Sequence, residues 1–97
     1  MNKTAQQILD LGASSSDGII LVIKTKTSVI VQSGNRSEEI DISNGTTNAE
    51  YQEAMEQLNT NGFIKANNPE KTSYQITTKA YKALNKGENA TVSDTIF

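Results

Sequence analysis

Short apolar runs separated by polar connectors predict a β-meander in the first half of the chain. Residues 19–23 are five consecutive aliphatic residues that follow Gly18, a pattern typical of a strand covered on both faces. Residues 29–31 predict a second strand. In residues 38–42 two isoleucines alternate with acidic residues, which indicates a half-buried edge strand.

A short amphipathic helix is predicted before the meander, over residues 4–11. Ala5, Ile8 and Leu9 recur at the i, i+3, i+4 spacing of one helical face, and Gly12 is the expected left-handed stop. A helix this short needs a surface to dock on. A frayed N-terminal arm is the alternative interpretation.

The strongest amphipathic signal covers residues 49–59. Tyr51, Met55 and Leu58 form one stripe together with Ala54, and the acidic residues lie mostly on the rest of the helix. This pattern predicts a helix with one buried face.

The ends of this helix are also predicted from the sequence. Thr47 or Asn48 is expected to cap it, which places Glu50 in its first turn, where the helix dipole favours an anion. Gly62 is expected to follow its last turn.

A two-stranded turn and a last helix follow. Phe63 begins the next strand, residues 67–71 form a turn around Pro69, and the return strand leads to a helix capped by Thr77 or Thr78. Gly87 is the expected end of that helix.

The predicted fold is therefore α+β, with element order α-β-β-β-α-β-β-α and a small antiparallel sheet. One domain is expected over residues 1–87, followed by a flexible C-terminal tail over residues 88–97. The expected core consists of Ile20, Val22, Ile30, Ile40, Tyr51, Met55, Leu58, Phe63, Ile64, Ile76, Tyr81 and Leu84.

The second half of the chain resembles bacterial winged-helix domains. Residues 58–64, 74–77 and 80–84 are similar to their pattern L-x-x-x-G-[FYL]-I, Y-x-[IL]-T and [GA]-x-x-x-L. This resemblance covers about forty residues, and it implies a helix, a wing and a second helix, with Leu58 closing the first helix on the core. The family commonly binds DNA through the helix that precedes the wing.

The first half is similar to the C-terminal winged-helix-like domains of uncharacterised bacterial proteins. Residues 18–25 approximate their G-x-I-L-V-x-x-T strand, and residues 32–35 approximate the turn that follows. That group implies no activity. The chain also departs from a regular winged helix, because a β-meander takes the place of the middle helix.

Charge and composition narrow the classes of function. The formal net charge is −2 and the pI is about 5.0, whereas nucleic-acid-binding domains usually carry a basic stripe. The chain has no His and no Cys, so the commonest general base and the thiolate nucleophile are missing. We expect no enzyme, no cofactor and no metal site. No apolar run is long enough to cross a bilayer, and the absence of Cys fits a cytoplasmic protein.

Two sets of charged residues are candidate contacts. The helix over residues 49–59 carries Glu50, Glu53 and Glu56 without any Lys or Arg, so it would repel DNA, and we expect these residues to contact protein. A nucleic-acid contact would instead use lysines of the wing and the last helix, namely Lys65, Lys71, Lys79, Lys82 and Lys86. A solvated lysine face is the simpler interpretation of that second set.

The sequence thus predicts a non-catalytic interaction module of winged-helix-like fold. An unidentified protein is the favoured partner, and a small DNA-binding transcription regulator is the alternative. The sequence indicates no oligomeric state.

Overall fold

Eight elements follow one another in the predicted order. The computed structural model describes the backbone of residues 1–89 and the side chains of residues 1–84, so residues 90–97, most of the expected tail, lie outside the described part. The elements are α1 (Lys3–Ala13), β1 (Ile19–Lys24), β2 (Ser28–Ser33), β3 (Arg36–Asp41), α2 (Gly45–Thr60), β4 (Ile64–Ala66), β5 (Ser73–Ile76) and α3 (Thr78–Asn89).

The five strands form one antiparallel sheet in the order β3-β2-β1-β5-β4. The meander of β1, β2 and β3 builds one half, and the hairpin of β4 and β5 adds to the other side of β1. β1 is therefore the central strand, and β3 and β4 are the two edges. The α+β class, the element order and the antiparallel sheet agree with the sequence prediction.

The hydrophobic core lies between one face of the sheet and the helices. α1 contributes Ala5, Ile8, Leu9 and Leu11, all at most 2% exposed. The predicted stripe of α2 is confirmed, because Tyr51, Ala54, Met55 and Leu58 are all buried. The sheet contributes Ile20, Val22, Val29, Val31, Ile64, Tyr74 and Ile76, and Ile40, Phe63, Tyr81 and Leu84 are partly buried against this cluster.

The opposite face of the sheet is exposed, which corrects the prediction for β1. Leu21 is 43% exposed and Ile23 is 46% exposed, so this strand is covered on one face only. The strand β2 corrects a second expectation. Val29 and Val31 are buried while Ile30 is only half-buried, because Ile30 pairs with Ile23 and so shares the exposed face.

Helix α2 begins earlier than the sequence predicted. Its N-cap is Asn44, whose side chain accepts a hydrogen bond from the Thr47 N–H at 3.1 Å. The helix thus starts at Gly45, and Glu50 lies beyond its first turn, where the dipole has little effect. The predicted end is confirmed. Gly62 adopts a left-handed φ of 72°, and the Phe63 N–H donates to the Leu58 carbonyl at 2.9 Å.

Two glycines do not end the helices as predicted. Gly12 lies inside α1, which continues to Ala13 and is capped by Ser14 in a right-handed conformation. Gly12 is instead buried where α1 approaches β1 and β5 closely. α3 likewise continues through Gly87 to Asn89. At its start, the prediction for Thr77 is confirmed, because its hydroxyl accepts from the Ala80 N–H at 3.2 Å.

Candidate interaction surfaces

The acidic surface of α2 lies opposite its buried stripe. Glu50, Glu53 and Glu56 are all exposed on this 16-residue helix. The Gln57 side-chain amide donates to the Glu53 carboxylate at 3.1 Å, which orients one of the three. The structure therefore presents these carboxylates to solvent, as a charged surface for a partner requires.

A polar groove separates α2 from the turn between β4 and β5. Its volume is about 390 Å³, and its charged lining consists of Lys24, Glu56, Glu70 and Lys71. Lys71 has a left-handed φ of 59°. The turn that carries it is closed by Asn68, whose side-chain oxygen accepts from the Thr72 N–H at 3.0 Å. Lys71 and Glu56, one candidate from each charged set, thus line the same groove. An anion bound there would lie close to the carboxylates of Glu56 and Glu70 as well as to the lysines.

Two tyrosines line the same groove from the core side. Tyr51 of α2 is 3% exposed and Tyr74 of β5 is 5% exposed. Burial raises the pKa of the Tyr51 hydroxyl to about 12, with a smaller contribution from the neighbouring Tyr74. Burial also raises the pKa of Tyr74. Both hydroxyls are therefore protonated at physiological pH.

The raised pKa of Tyr51 predicts a loss of stability at high pH. Well below pH 10 the residue is protonated in both states, whereas between about pH 10 and 12 the unfolded chain loses the proton first. We expect Tyr51 to contribute about 1 kcal/mol less to the free energy of unfolding at pH 11 than at pH 8. Urea titrations of the wild type and of Tyr51→Phe at both pH values measure this. The gap between the two proteins should shift in favour of Tyr51→Phe at pH 11, and equal losses would contradict the prediction.

The candidate lysines do not all face one way. Lys65 pairs with Gln75 and projects from the exposed face of the sheet, whereas Lys71 lines the groove on the helix side. Lys79 lies over the Phe63 ring, with Nζ 5.8 Å from the ring centroid. Lys82 is exposed one turn further along α3, and Lys86 belongs to the same helix, with its side chain outside the described part.

The exposed sheet face is the surface that sequence reasoning missed. We call it the open face and define its apolar centre as Ile19, Leu21, Ile23 and Ile30, which share one side of β1 and β2. Leu21 and Ile23 are more exposed than any other large apolar residue in the described chain except Met1. The run of five aliphatic residues indicated a strand, but it holds no information on which face is covered.

Acidic residues border the open face on β3. Glu39 pairs with Ile30 and Asp41 pairs with Ser28, so both lie on this side of the sheet. The Ser28 hydroxyl donates to the Glu39 carboxylate at 2.7 Å. Hydrogen bonds from Ser43 lower the pKa of Asp41. The β3 border of the open face is therefore negatively charged.

Within residues 1–84, whose side chains the structure describes, no group of three or more acidic side chains could hold a metal ion. No helix within residues 1–89 is both long and apolar enough to cross a bilayer.

Comparison with protein families, with curated proteins and with solved structures yields no match for this chain. The resemblance to winged-helix domains therefore stays a prediction from the sequence.

Proposed function

We propose that this chain is a non-catalytic interaction module of winged-helix-like fold that binds protein through the open face. The observation that carries the proposal is the exposure of Leu21 (43%) and Ile23 (46%) at the centre of a five-stranded sheet. Contiguous apolar surface with a polar border is typical of protein contact sites, since its burial against a partner removes it from water. The favoured partner surface is another aliphatic one.

The winged-helix part of the proposal is supported by the second half of the chain. α2 ends in the left-handed Gly62, a two-stranded hairpin follows, and Thr77 caps α3. Thr77 also links the start of α3 to the residue that follows the end of α2, because its hydroxyl donates to the Gly62 carbonyl at 2.6 Å. The meander in place of a middle helix remains the departure from the regular pattern.

The protein-binding part is supported by charge. In a regular winged helix, the element corresponding to α2 would enter the major groove. Here its exposed surface carries Glu50, Glu53 and Glu56, and each carboxylate would be repelled by phosphate. The acidic surface of α2 is therefore proposed as a second protein contact. The non-catalytic character and a cytoplasmic location stay predictions from the sequence.

A DNA-binding regulator is the second candidate. It is favoured by Lys79 and Lys82, which are three residues apart on α3 and both exposed. The opposed directions of Lys65 and Lys71 weigh against a single lysine surface that includes the wing. Binding through α3 would weaken steeply with salt, because lysine contacts to phosphate release counterions.

One panel of variants separates these functions. The open-face variant combines Leu21→Ser with Ile23→Ser, the acidic variant combines Glu53→Lys with Glu56→Lys, and the lysine variant combines Lys79→Glu with Lys82→Glu. Each tagged protein is incubated with an extract of the source cells, captured proteins are quantified by mass spectrometry, and the binding is repeated with purified components. The same proteins are titrated with labelled DNA at low salt. The exposed Gln52→Ser on α2 is the matched control, and thermal unfolding monitors folding.

We expect a protein that binds the wild type and the control but is lost with the open-face variant. If only the acidic variant loses partner binding, the contact surface is the acidic surface of α2 and not the open face. Two results together would contradict the proposal and favour the second candidate. The first is DNA binding that only the lysine variant loses, and the second is that the open-face substitutions change no association with a protein.

A further inference from the structure

The groove between α2 and the turn that joins β4 to β5 contains two buried tyrosines without hydrogen-bond partners. Tyr51 is 3% exposed, Tyr74 is 5% exposed, and both line the groove. The nearby Asn59 amide is satisfied, because it donates to the Met55 carbonyl at 3.2 Å. Neither tyrosine hydroxyl has a partner among the described residues, yet no fully buried polar side-chain atom there lacks one. Each hydroxyl therefore reaches the surface, and it does so in the groove.

Two such hydroxyls form a polar floor for a ligand. A tyrosine hydroxyl can donate one hydrogen bond and can also accept, and the rings below it are fixed by the core. Small-molecule sites typically combine a concave surface of about 300–1,000 Å³ with a few convergent polar groups. The groove has a volume of about 390 Å³, which fits a small ligand.

The walls of the groove carry opposite charges. Lys24 ends β1, and strand alternation places it on the same side of the sheet as the buried Val22. The Val22 N–H donates to the Thr72 carbonyl at 2.8 Å, so the turn before β5 lies beside this end of β1. Lys71 of that turn and Lys24 thus line the sheet side of the groove, whereas Glu56 lines it from α2.

This distribution of charge selects the chemistry of the ligand. The turn also contributes Glu70, so two lysines and two glutamates line the groove. A simple anion or cation would meet groups of its own sign there. A molecule that carries both an ammonium and a carboxylate group can place each against the opposite charge, and such hydrogen bonds between charged groups are stronger than neutral ones.

We propose that this groove binds a small zwitterion of about the size of a dipeptide. The carboxylate of the ligand lies against Lys24 and Lys71, and its ammonium group lies against Glu56. The polar atoms between the two ends of the ligand bond to the hydroxyls of Tyr51 and Tyr74. The groove lies on the helix side of the sheet, so this inference goes beyond the proposed function and does not depend on the open face.

NMR of the isotope-labelled full chain, with the amide signals assigned, tests the proposal. The probes are the dipeptide Ala-Ala and, separately, a mixture of the free α-amino acids. We expect Ala-Ala to shift the signals of groove residues, with a dissociation constant of about 0.1–10 mM for a ligand of this size. N-acetyl-Ala-Ala lacks the ammonium group and Ala-Ala amide lacks the carboxylate, so both should bind at least about fivefold more weakly.

Substitutions of the tyrosines test the floor of the groove. Tyr51→Phe and Tyr74→Phe keep the ring and remove only the hydroxyl, and each should weaken binding of Ala-Ala about tenfold, because a buried hydrogen bond to the ligand is lost. Tyr81→Phe is the matched control. Tyr81 lies on α3 and does not line the groove, so its substitution should leave the affinity unchanged.

Neutralising substitutions test the walls. Glu56→Gln and Lys71→Gln should each weaken binding about two- to fivefold, since both side chains are exposed and their charges are screened by water. The controls are Glu50→Gln on α2 and Lys65→Gln on β4, which change the same charges outside the groove. The unliganded spectrum of each variant shows whether it remains folded.

Several results would overturn the proposal. One is the absence of shifts in the groove with either probe at up to about 100 mM, tenfold above the weakest expected dissociation constant. Another is equal binding of Ala-Ala and its N-acetylated or amidated form, since the groove would then recognise a single charge. Unchanged affinity in both tyrosine variants, or equal losses in the wall variants and their controls, would place the ligand elsewhere. None of these results would affect the function proposed for the open face.

Discussion

Replacing Ile20 by alanine is expected to lower the free energy of unfolding by about 2–5 kcal/mol, whereas Leu21→Thr should change it by less than about 0.5 kcal/mol. The two residues are neighbours on β1, but their side chains lie on opposite faces of the sheet. Ile20 is 1% exposed and packs in the core, so its truncation leaves a cavity beneath α1. Leu21 is 43% exposed and loses little when its side chain is shortened.

Urea denaturation followed by circular dichroism measures both variants. The experiments should be run at a low, equal protein concentration, because any association through the open face would add a concentration-dependent term to the apparent stability. Equal and large losses for Ile20→Ala and Leu21→Thr would mean that β1 is covered on both faces. That result would contradict the open face and the function proposed for it.

This contrast also shows where the sequence was informative and where it was not. The stripe of α2 was predicted because Tyr51, Met55 and Leu58 are separated by polar residues, so only one helical face can be buried. Five consecutive aliphatic residues in β1 contain no such alternation. Which of Ile20 and Leu21 is covered depends on where α1 and α2 pack, and that is a property of the whole fold.

The prediction of the buried residues in strand β2 was wrong for the same reason. Val29, Ile30 and Val31 are all β-branched and apolar, so the sequence contains no pattern that shows which of them is buried. Pairing with β1 decides the matter, because Ile30 is opposite Ile23 on the exposed side. A single shift of register would reverse every assignment on the strand.

The candidate contacts were likewise predictable only within one element. Their spacing of three residues predicted that Lys79 and Lys82 share one surface of a helix, and both residues lie on α3 with exposed side chains. The lysines of the wing belong to a strand and to the turn that follows it, and their directions depend on the hairpin. Lys65 therefore projects from the open face while Lys71 lines the groove beside α2.

Gly12 in α1 is a helical glycine that alanine is not expected to replace without cost. Alanine is normally preferred to glycine inside a helix by about 1 kcal/mol. Here a Cβ on residue 12 would lie 2.7 Å from Ile20 Cγ1 and 2.9 Å from Ile76 Cδ1, which is closer than carbon atoms approach. Both isoleucines are at most 2% exposed, so any shift of their side chains has to be accommodated inside the core. We therefore expect Gly12→Ala to lower the free energy of unfolding by about 1–3 kcal/mol.

Gly45 provides the matched control for this substitution. It is the first residue of α2. Apart from its two chain neighbours and the nearby backbone of its own helix, no described atom lies within 4 Å of a Cβ built there. Gly45→Ala should stabilise the protein by about 0.4–1 kcal/mol, because it restricts the unfolded chain without any clash. The two glycine substitutions are thus expected to have opposite signs, which equilibrium unfolding of both variants measures directly.

A double-mutant cycle identifies the cause of the Gly12 effect. If the cost comes from the contact with Ile20, then Gly12→Ala should be less harmful in the Ile20→Ala background, where the cavity accommodates the new methyl group. The coupling expected for two residues in direct contact is about 0.5–3 kcal/mol. Additive losses would mean that the close approach of α1 to β1 does not determine the cost, and that Gly12 acts through the conformation of the helix end instead.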